Sequence, residues 1–432
     1  MIRKFTNMFE ISELRQRIVF TVMLLIVYRI GSHITTPGVD VRALADFFAR
    51  GAGVLGLYDF FVGGNLSNAT IFALGIMPYI SASIILQLLQ PVLPYLERLA
   101  KEGEEGRRKI NQYTRYLTVA LAFFQSIAIS VFLEQLGVVS DPGLGFKLLT
   151  MITMTSGTIF VMWLGEQITE RGIGNGISLI IFIGIVASYP TDILNTIRAV
   201  FATQTLNIFV GVFLLAMMIS VTALTVLVTQ GQRRIPVQYA RRIVGRKMLT
   251  GRTTHLPLRI NTAGVIPIIF AQSIIVMPSS LAAFMQDNNF AQSLAFWLRP
   301  GGWLYVVLYT LIIIFFTYFY TAIVFNPMDV ADNMRKNGGF IPGIRAGRRT
   351  ADFIDRVLTR ITLPGSIFLA FIAVLPDILI RQTGVPFYFG GTGLLIVVGV
   401  ALDTLQQIES HLLMRHYDGF LKKGRLRGRT GF

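Results

Sequence analysis

The sequence predicts an all-α membrane protein: ten transmembrane helices in two inverted five-helix halves around a central pore. Three observations predict it. Long apolar segments recur along the whole chain. The loops between them are by turns basic and nearly uncharged. Short motifs of the first half return in the second. Of 432 residues, 53% are hydrophobic and 14% charged, whereas soluble domains carry roughly a quarter charged residues.

A span needs about 20 apolar residues. Ten segments qualify: 18–34, 71–93, 117–136, 148–164, 177–189, 208–228, 263–284, 303–325, 365–380 and 392–408. The second, sixth, seventh and eighth are strong. The fifth, ninth and tenth are short or broken by glycine, and the loops decide whether they count. With the N-terminus inside, 32 of the 39 Lys/Arg fall on the inner side and six on the outer, and Arg29 lies within the first span. The stretch from Gln230 to Ile260 alone holds eight Lys/Arg and no Asp/Glu. Such asymmetry records orientation. Removing one weak span inverts every later loop and destroys it. Ten spans with both ends inside follow. The first apolar run has no small-residue cleavage site after it, so the first span is expected to remain in the protein.

Ten spans divide into five and five, and an odd number per half makes the halves run in opposite senses. Gly75-Ile76-Met77-Pro78-Tyr79-Ile80 returns as Gly264-Val265-Ile266-Pro267-Ile268-Ile269, both G-x-x-P-x-I. Gly174-Asn175-Gly176 returns as Gly391-Thr392-Gly393. An inverted repeat places the pathway where its halves meet. The divisions expected are an inner N-terminus (1–17), a first half (18–189), an outer connector (190–206), a second half (207–408) with inner loops 230–260 and 326–363, and a basic tail (409–432).

Composition excludes several chemistries. The chain has no Cys, hence no disulfide or thiol nucleophile. It has no H-E-x-x-H and no G-x-x-x-x-G-K-[ST], so nothing points to an enzyme, a metal or a cofactor. The net charge of +16 lies in loops between apolar spans, which argues against nucleic-acid chemistry on a soluble face. Ionisable residues mark ion coupling inside a membrane, and here they are few. Arg29 and Asp403 lie near span ends, and the four His are at span ends or in loops. The pathway is therefore expected to be apolar. Ile76 and Ile80 share one helix face, as do Ile177 and Ile181, and Ile269 is the repeat partner of Ile80. From composition alone the plainer reading, packing or lipid contact, is preferred. The functional reading is a hydrophobic constriction that blocks ions by dewetting, with side chains stiff at χ1 and with Pro78 and Pro267 loosening the helix beside it.

Seven strings carry a family likeness: RIGSHITTPGVD (29–40), IFALGIMPYISASIILQLL (71–89), KEGEEGRRKINQYTRY (101–116), MWLGEQITERGIGNGIS (162–178), THLPLRINTAGVIP (254–267), FNPMDVADNMRKNGGFIPGIR (325–345) and VPFYFGGTGLLIVV (385–398). In order and over essentially the whole length, the chain resembles the SecY family, channel subunits of the bacterial protein translocase. The resemblance implies a channel in the cell inner membrane for secretory polypeptides and membrane segments, and partners: SecE-like and SecG-like subunits, the SecA motor, the ribosome, signal sequences and nascent chains, and lipids. It implies a pore ring of Ile76, Ile80, Ile177, Ile181, Ile269 and Ile396, and a plug from the segment 55–67 with Leu55, Tyr58, Phe60, Phe61, Gly63 and Gly64. It implies a lateral gate near Ser81, Gln87, Asn261 and Met277, where Met277 stands in place of a common aromatic. Lone amides such as Gln87 and Asn261 also serve simply to bond a neighbouring helix. Arg246 and Lys247 at the tip of loop 230–260, and Arg345 in loop 326–363, are the implied contacts to the motor and to ribosomal phosphates, although inner loops are basic in any case. The basic tail has no motif, and lipid headgroups are its default ligand. The alternative is a secondary transporter of a small solute, which needs a polar cluster on facing helices that the spans do not supply. A scaffold with no pathway leaves the paired repeats unexplained.

Overall fold

The computed structural model describes residues 11–49, 54–201, 207–239, 242–244, 247–249, 253–284, 293, 297–298, 302–383 and 391–423. The chain forms two compact units, one of Met1–Ser188 with Val400–Phe432 and one of Tyr189–Gly399.

The first unit opens with α1 (Ser12–Gly31), followed by the short α2 (Val41–Ala49) and α3 (Val54–Val62). The next helices are α4 (Met77–Leu89), α5 (Pro94–Lys101), α6 (Glu104–Gln135), α7 (Leu144–Arg171) and α8 (Gly176–Phe201), which runs on into the second unit. The second unit adds α9 (Ile208–Gln230), strands β1 (Gln232–Tyr239), β2 (Arg242–Val244), β3 (Lys247–Leu249) and β4 (Thr253–Arg259), and α10 (Ile266–Phe284). It continues with α11 (Trp303–Val324), α12 (Pro327–Lys336), β5 (Gly339–Phe340) and α13 (Arg348–Thr383), and α14 (Gly391–Lys423) crosses back into the first.

Each of the ten predicted spans falls on a helix. Among the described residues, seven helices are long and apolar enough to cross a membrane alone, and α4 qualifies when joined to α5 across a 98° bend. The bend turns the chain out of the apolar layer, because α5 carries Glu97, Arg98 and Lys101. The two remaining spans are α1, with Glu13 and Arg29 in its end turns, and α10, with a shorter apolar run. At 32 residues α6 is about 48 Å long, well beyond the roughly 30 Å hydrocarbon layer. Its basic end emerges, where the Arg115 Nε donates to Glu166 Oε1 of α7 at 2.7 Å. At the other end the Lys147 Nζ lies 3.0 Å from Glu134 Oε2, and the Gly143 N–H donates to Glu134 Oε1 at 2.9 Å. The α6–α7 hairpin is thus stapled at both ends.

Buried Ile129, Phe132, Leu133, Met154, Val161, Leu164 and Ile168 lie along α6 and α7. In the second unit the core is Ile268, Ala271, Ile275, Tyr309, Ile313, Leu369 and Ile372 with Leu395. Large exposed apolar side chains such as Phe209, Val212, Phe213 and Leu215 on α9 suit a lipid-facing surface, where no water penalises them.

Loops 230–260 and 326–363 add structure to the helical prediction. β4, β1 and β5 form one antiparallel sheet in that order. Arg233 pairs with Leu258 and Val237 with Thr254, while Gln238 pairs with Phe340 and Tyr239 with Gly339 across the other edge.

Candidate functional site

The repeated G-x-x-P-x-I motif encodes a helix start. Gly75 has φ +54 and Gly264 φ +64, conformations that a side chain would strain. Helices α4 and α10 begin two residues later, so Pro78 and Pro267 each stand second in their helix. This corrects the expectation that the prolines loosen a helix beside the collar. In a first turn the missing N–H had no intrahelical partner, and the fixed φ favours initiation. The same backbone bond closes both turns: the Ile80 N–H donates to Ile76 O at 3.1 Å, and the Ile269 N–H to Val265 O at 3.2 Å. Ile80 and Ile269 are therefore the fourth residues of matching helices.

In the first unit Ile76, Ile80 and Ile181 are buried, and Ile177 is half-buried against Gly165 of α7. Gly174 has φ +87, and Asn175 caps α8, its Oδ1 accepting from the N–H groups of Ile177 at 3.1 Å and Ser178 at 3.2 Å. In the second unit Ile269 and Ile396 are buried. A Cβ on Gly399 would overlap Val265, so α14 approaches the start of α10 closely. Of the second repeat pair, Gly391 opens α14, and the residues just before it lie outside the described ones.

Residues 54–67 form α3 and a turn. Leu55, Tyr58 and Phe61 are buried, and Phe60 is half-buried. Gly63 and Gly64 both have φ +77. A Cβ on Gly63 would lie 2.6 Å from the Gly184 Cα, and one on Gly75 2.8 Å from Val62 Cγ1. Glycine here permits backbone contact with α8 and with the start of α4. The Tyr58 hydroxyl donates to Leu74 O at 3.2 Å. Asp59 Oδ1 accepts from the N–H groups of Leu66 at 2.8 Å and Ser67 at 2.9 Å. Asp59 was missed in the sequence reading, although a lone acid between Tyr58 and Phe60 was a visible signal.

Among the residues expected at a gate, Ser81 is buried and its Oγ has no hydrogen-bond partner among the described residues. Gln87 donates to Ser83 Oγ at 3.0 Å, one turn back on its own helix. Asn261 is buried, and its Nδ2 donates to Gly264 O at 3.0 Å, fixing the turn into α10. Its Oδ1 is unpartnered among the described residues. Met277 is half-buried, just before Pro278 within α10.

The two basic loops share one core. Ile235, Val237 and Leu258 of the hairpin pack with Met334, Ile341 and Ile354. Strand alternation turns Arg234 and Arg259 away from that core, and Arg233 at the start of β1 is exposed as well. Arg345 is exposed in a turn between Gly343 (φ +79) and Gly347 (φ +104), and its carbonyl accepts from the Thr350 hydroxyl at 3.0 Å. Lys247 opens β3, and Arg246 lies outside the described residues.

Long apolar helices together with a folded basic platform in the loops between them define a multi-pass α-helical membrane protein. The family model described as SecY matches residues 70–405. The chain is 49% identical to protein translocase subunit SecY of Escherichia coli (strain K12) over 97% of this chain and 96% of that one. It is 46% identical to the subunit of the same name from Aquifex aeolicus (strain VF5), over 96% of this chain and 98% of that one. Its fold matches a structure described as that of a protein-conducting channel, with TM-score 0.67 and 17% identity, covering 96% of this chain and 95% of that one. It also matches Sec61 in the canine ribosome-channel complex, with TM-score 0.64, 17% identity and the same coverage. The chain belongs to the SecY family. It is accordingly a subunit of a protein-conducting channel and not an enzyme, and nothing supports the solute-transporter alternative.

Proposed function

We propose that Ile76, Ile80, Ile177, Ile181, Ile269 and Ile396 form the constriction through which unfolded polypeptides pass, and that residues 55–67 are the plug that covers it at rest. The matching helix starts at Gly75–Ile80 and Gly264–Ile269 carry this reading. Each unit begins a helix abruptly after a left-handed glycine and presents a stiff isoleucine in the first turn. An apolar ring excludes ions by dewetting, yet it offers no hydrogen bonds to a passing chain and so does not hold it.

Ser81, Gln87, Asn261 and Met277 belong to the lateral gate through which signal sequences and membrane segments leave. The unpaired Ser81 and Asn261 oxygens suit a surface that exchanges partners on opening, since a buried acceptor without a partner is costly. The platform of loops 230–260 and 326–363 docks the SecA motor or the ribosome through Arg345, Arg246 and Lys247, with arginines matched to phosphate or carboxylate. Energy comes from that partner. SecE-like and SecG-like subunits complete the assembly in the bacterial inner membrane, with both ends of the chain cytosolic and the tail against lipid headgroups.

Ile80→Asn tests the constriction. A polar amide wets the ring, so ion conductance of the resting complex in planar bilayers should rise. Unchanged conductance removes Ile80 from the ring.

A further inference from the structure

We propose that Tyr28 and Asn65 are positioning residues of the channel, a polar latch that holds the end of α3 in its resting seat. The proposal rests on the reading of residues 55–67 as the plug. The carbonyl of Val62 belongs to the last turn of α3, where carbonyls lack intrahelical partners. Asn65 Nδ2 donates to it at 2.6 Å and to the Tyr28 hydroxyl at 3.1 Å. The Tyr28 hydroxyl lies 3.5 Å from the same carbonyl and donates toward it. The three groups close a triangle between α1 and the plug segment.

Both side chains are inside, Tyr28 at 3% and Asn65 at 1% exposure. The Tyr28 ring is stacked on Phe72, with centroids 5.7 Å apart and planes 7° from parallel. Phe72 lies against Gly31, where a Cβ would overlap it. The ring is thus clamped and its hydroxyl has one direction available. Asn65 is fixed from its own backbone, its carbonyl accepting from the Thr70 N–H at 2.9 Å and the Thr70 hydroxyl at 3.2 Å.

The apolar contacts of Leu55, Tyr58 and Phe61 are non-directional and allow the segment to slide. Hydrogen bonds weaken steeply with distance and angle, so the Asn65 bonds at 2.6 and 3.1 Å make the seat a defined position. Asn65 Oδ1 has no partner among the described residues, and this unmet acceptor limits how tightly the latch holds. When the segment leaves, Val62 O and the Asn65 amide exchange these bonds for bonds to water. The release is therefore reversible.

Tyr28→Phe removes only the hydroxyl and keeps the ring stack, and Asn65→Ala removes the amide. Each should raise resting ion conductance of the full complex in planar bilayers by about two- to tenfold, the range that one net hydrogen bond supports. The double variant should exceed neither single by much, because the groups act as one unit. The melting temperature of the complex should stay put, which separates a latch from general loss of packing. Wild-type conductance in both singles, or strictly multiplicative effects, overturns the latch. Deleting residues 55–67 distinguishes the two failures. If the deletion raises conductance and the point variants do not, the plug reading stands and the latch falls. If the deletion leaves conductance unchanged, the plug reading falls and the latch with it.

Discussion

Gln238 on β1 pairs in antiparallel register with Phe340 on β5, and that pairing makes one body of two loops distant in sequence. Ile354, fully buried on α13, sits in their common core. Ile354→Ala should cost about 2–5 kcal/mol of local stability, the usual range for a buried isoleucine. Under limited proteolysis, cuts near residues 232–239 and near 339–345 should then appear together. Cuts confined to one loop would mean that the loops fold separately.

Arg345 is exposed and its backbone is held by two left-handed glycines and Thr350. Arg345→Ala should therefore weaken docking of motor or ribosome without altering resting conductance. Arg345→Lys should restore it only in part, because an ammonium lacks the planar fork of a guanidinium. Binding measured against salt should show a shallower slope for the alanine variant. An unchanged affinity removes Arg345 from the docking surface.

Gly75 and Gly264 hold the same left-handed backbone, and at Gly75 an added Cβ would also stand 2.8 Å from Val62 Cγ1. Alanine at either site should cost roughly 1–2 kcal/mol for the backbone, and at Gly75 the Val62 contact adds to that cost. Thermal unfolding should show Gly75→Ala destabilised, and adding Val62→Ala should recover part of the loss. No recovery would show that α3 does not press on the start of α4.

Burial pushes the Asp59 carboxyl above the ordinary carboxylate range, and hydrogen bonds from Ser67 and Leu66 pull it partly back. A carboxyl whose pKa is raised in the packed segment 54–67 binds its proton more readily there than in the segment set free. The seat therefore gains stability as pH falls toward the raised value and loses it as pH rises through it. Resting conductance should drop on acidifying the outer side from neutral, and Asp59→Asn should flatten that response. A conductance that climbs on acidification would show that the carboxylate, not the acid, holds the turn.

Much of this architecture was legible in the sequence because membrane burial writes long runs and lopsided loop charge. A helix stands at each of the ten apolar segments. The location of Pro78 within its span was not legible: an apolar run does not say where in it a helix begins, and only the φ of Gly75 does. The sheet was hidden because β1 alternates only around Ile235 and Val237, and β5 is two residues long. Tyr28 and Asn65 looked ordinary, since a pair 37 positions apart meets only once α3 is packed.

The most direct test of the constriction is a photo-crosslinking residue at Ile269 in the assembled complex, with a secretory chain stalled in transit by its motor or ribosome. A crosslink that requires a working signal sequence is expected and would place Ile269 against the moving polypeptide. With a functional complex confirmed separately, no crosslink would contradict the constriction, while membership of the family would stand.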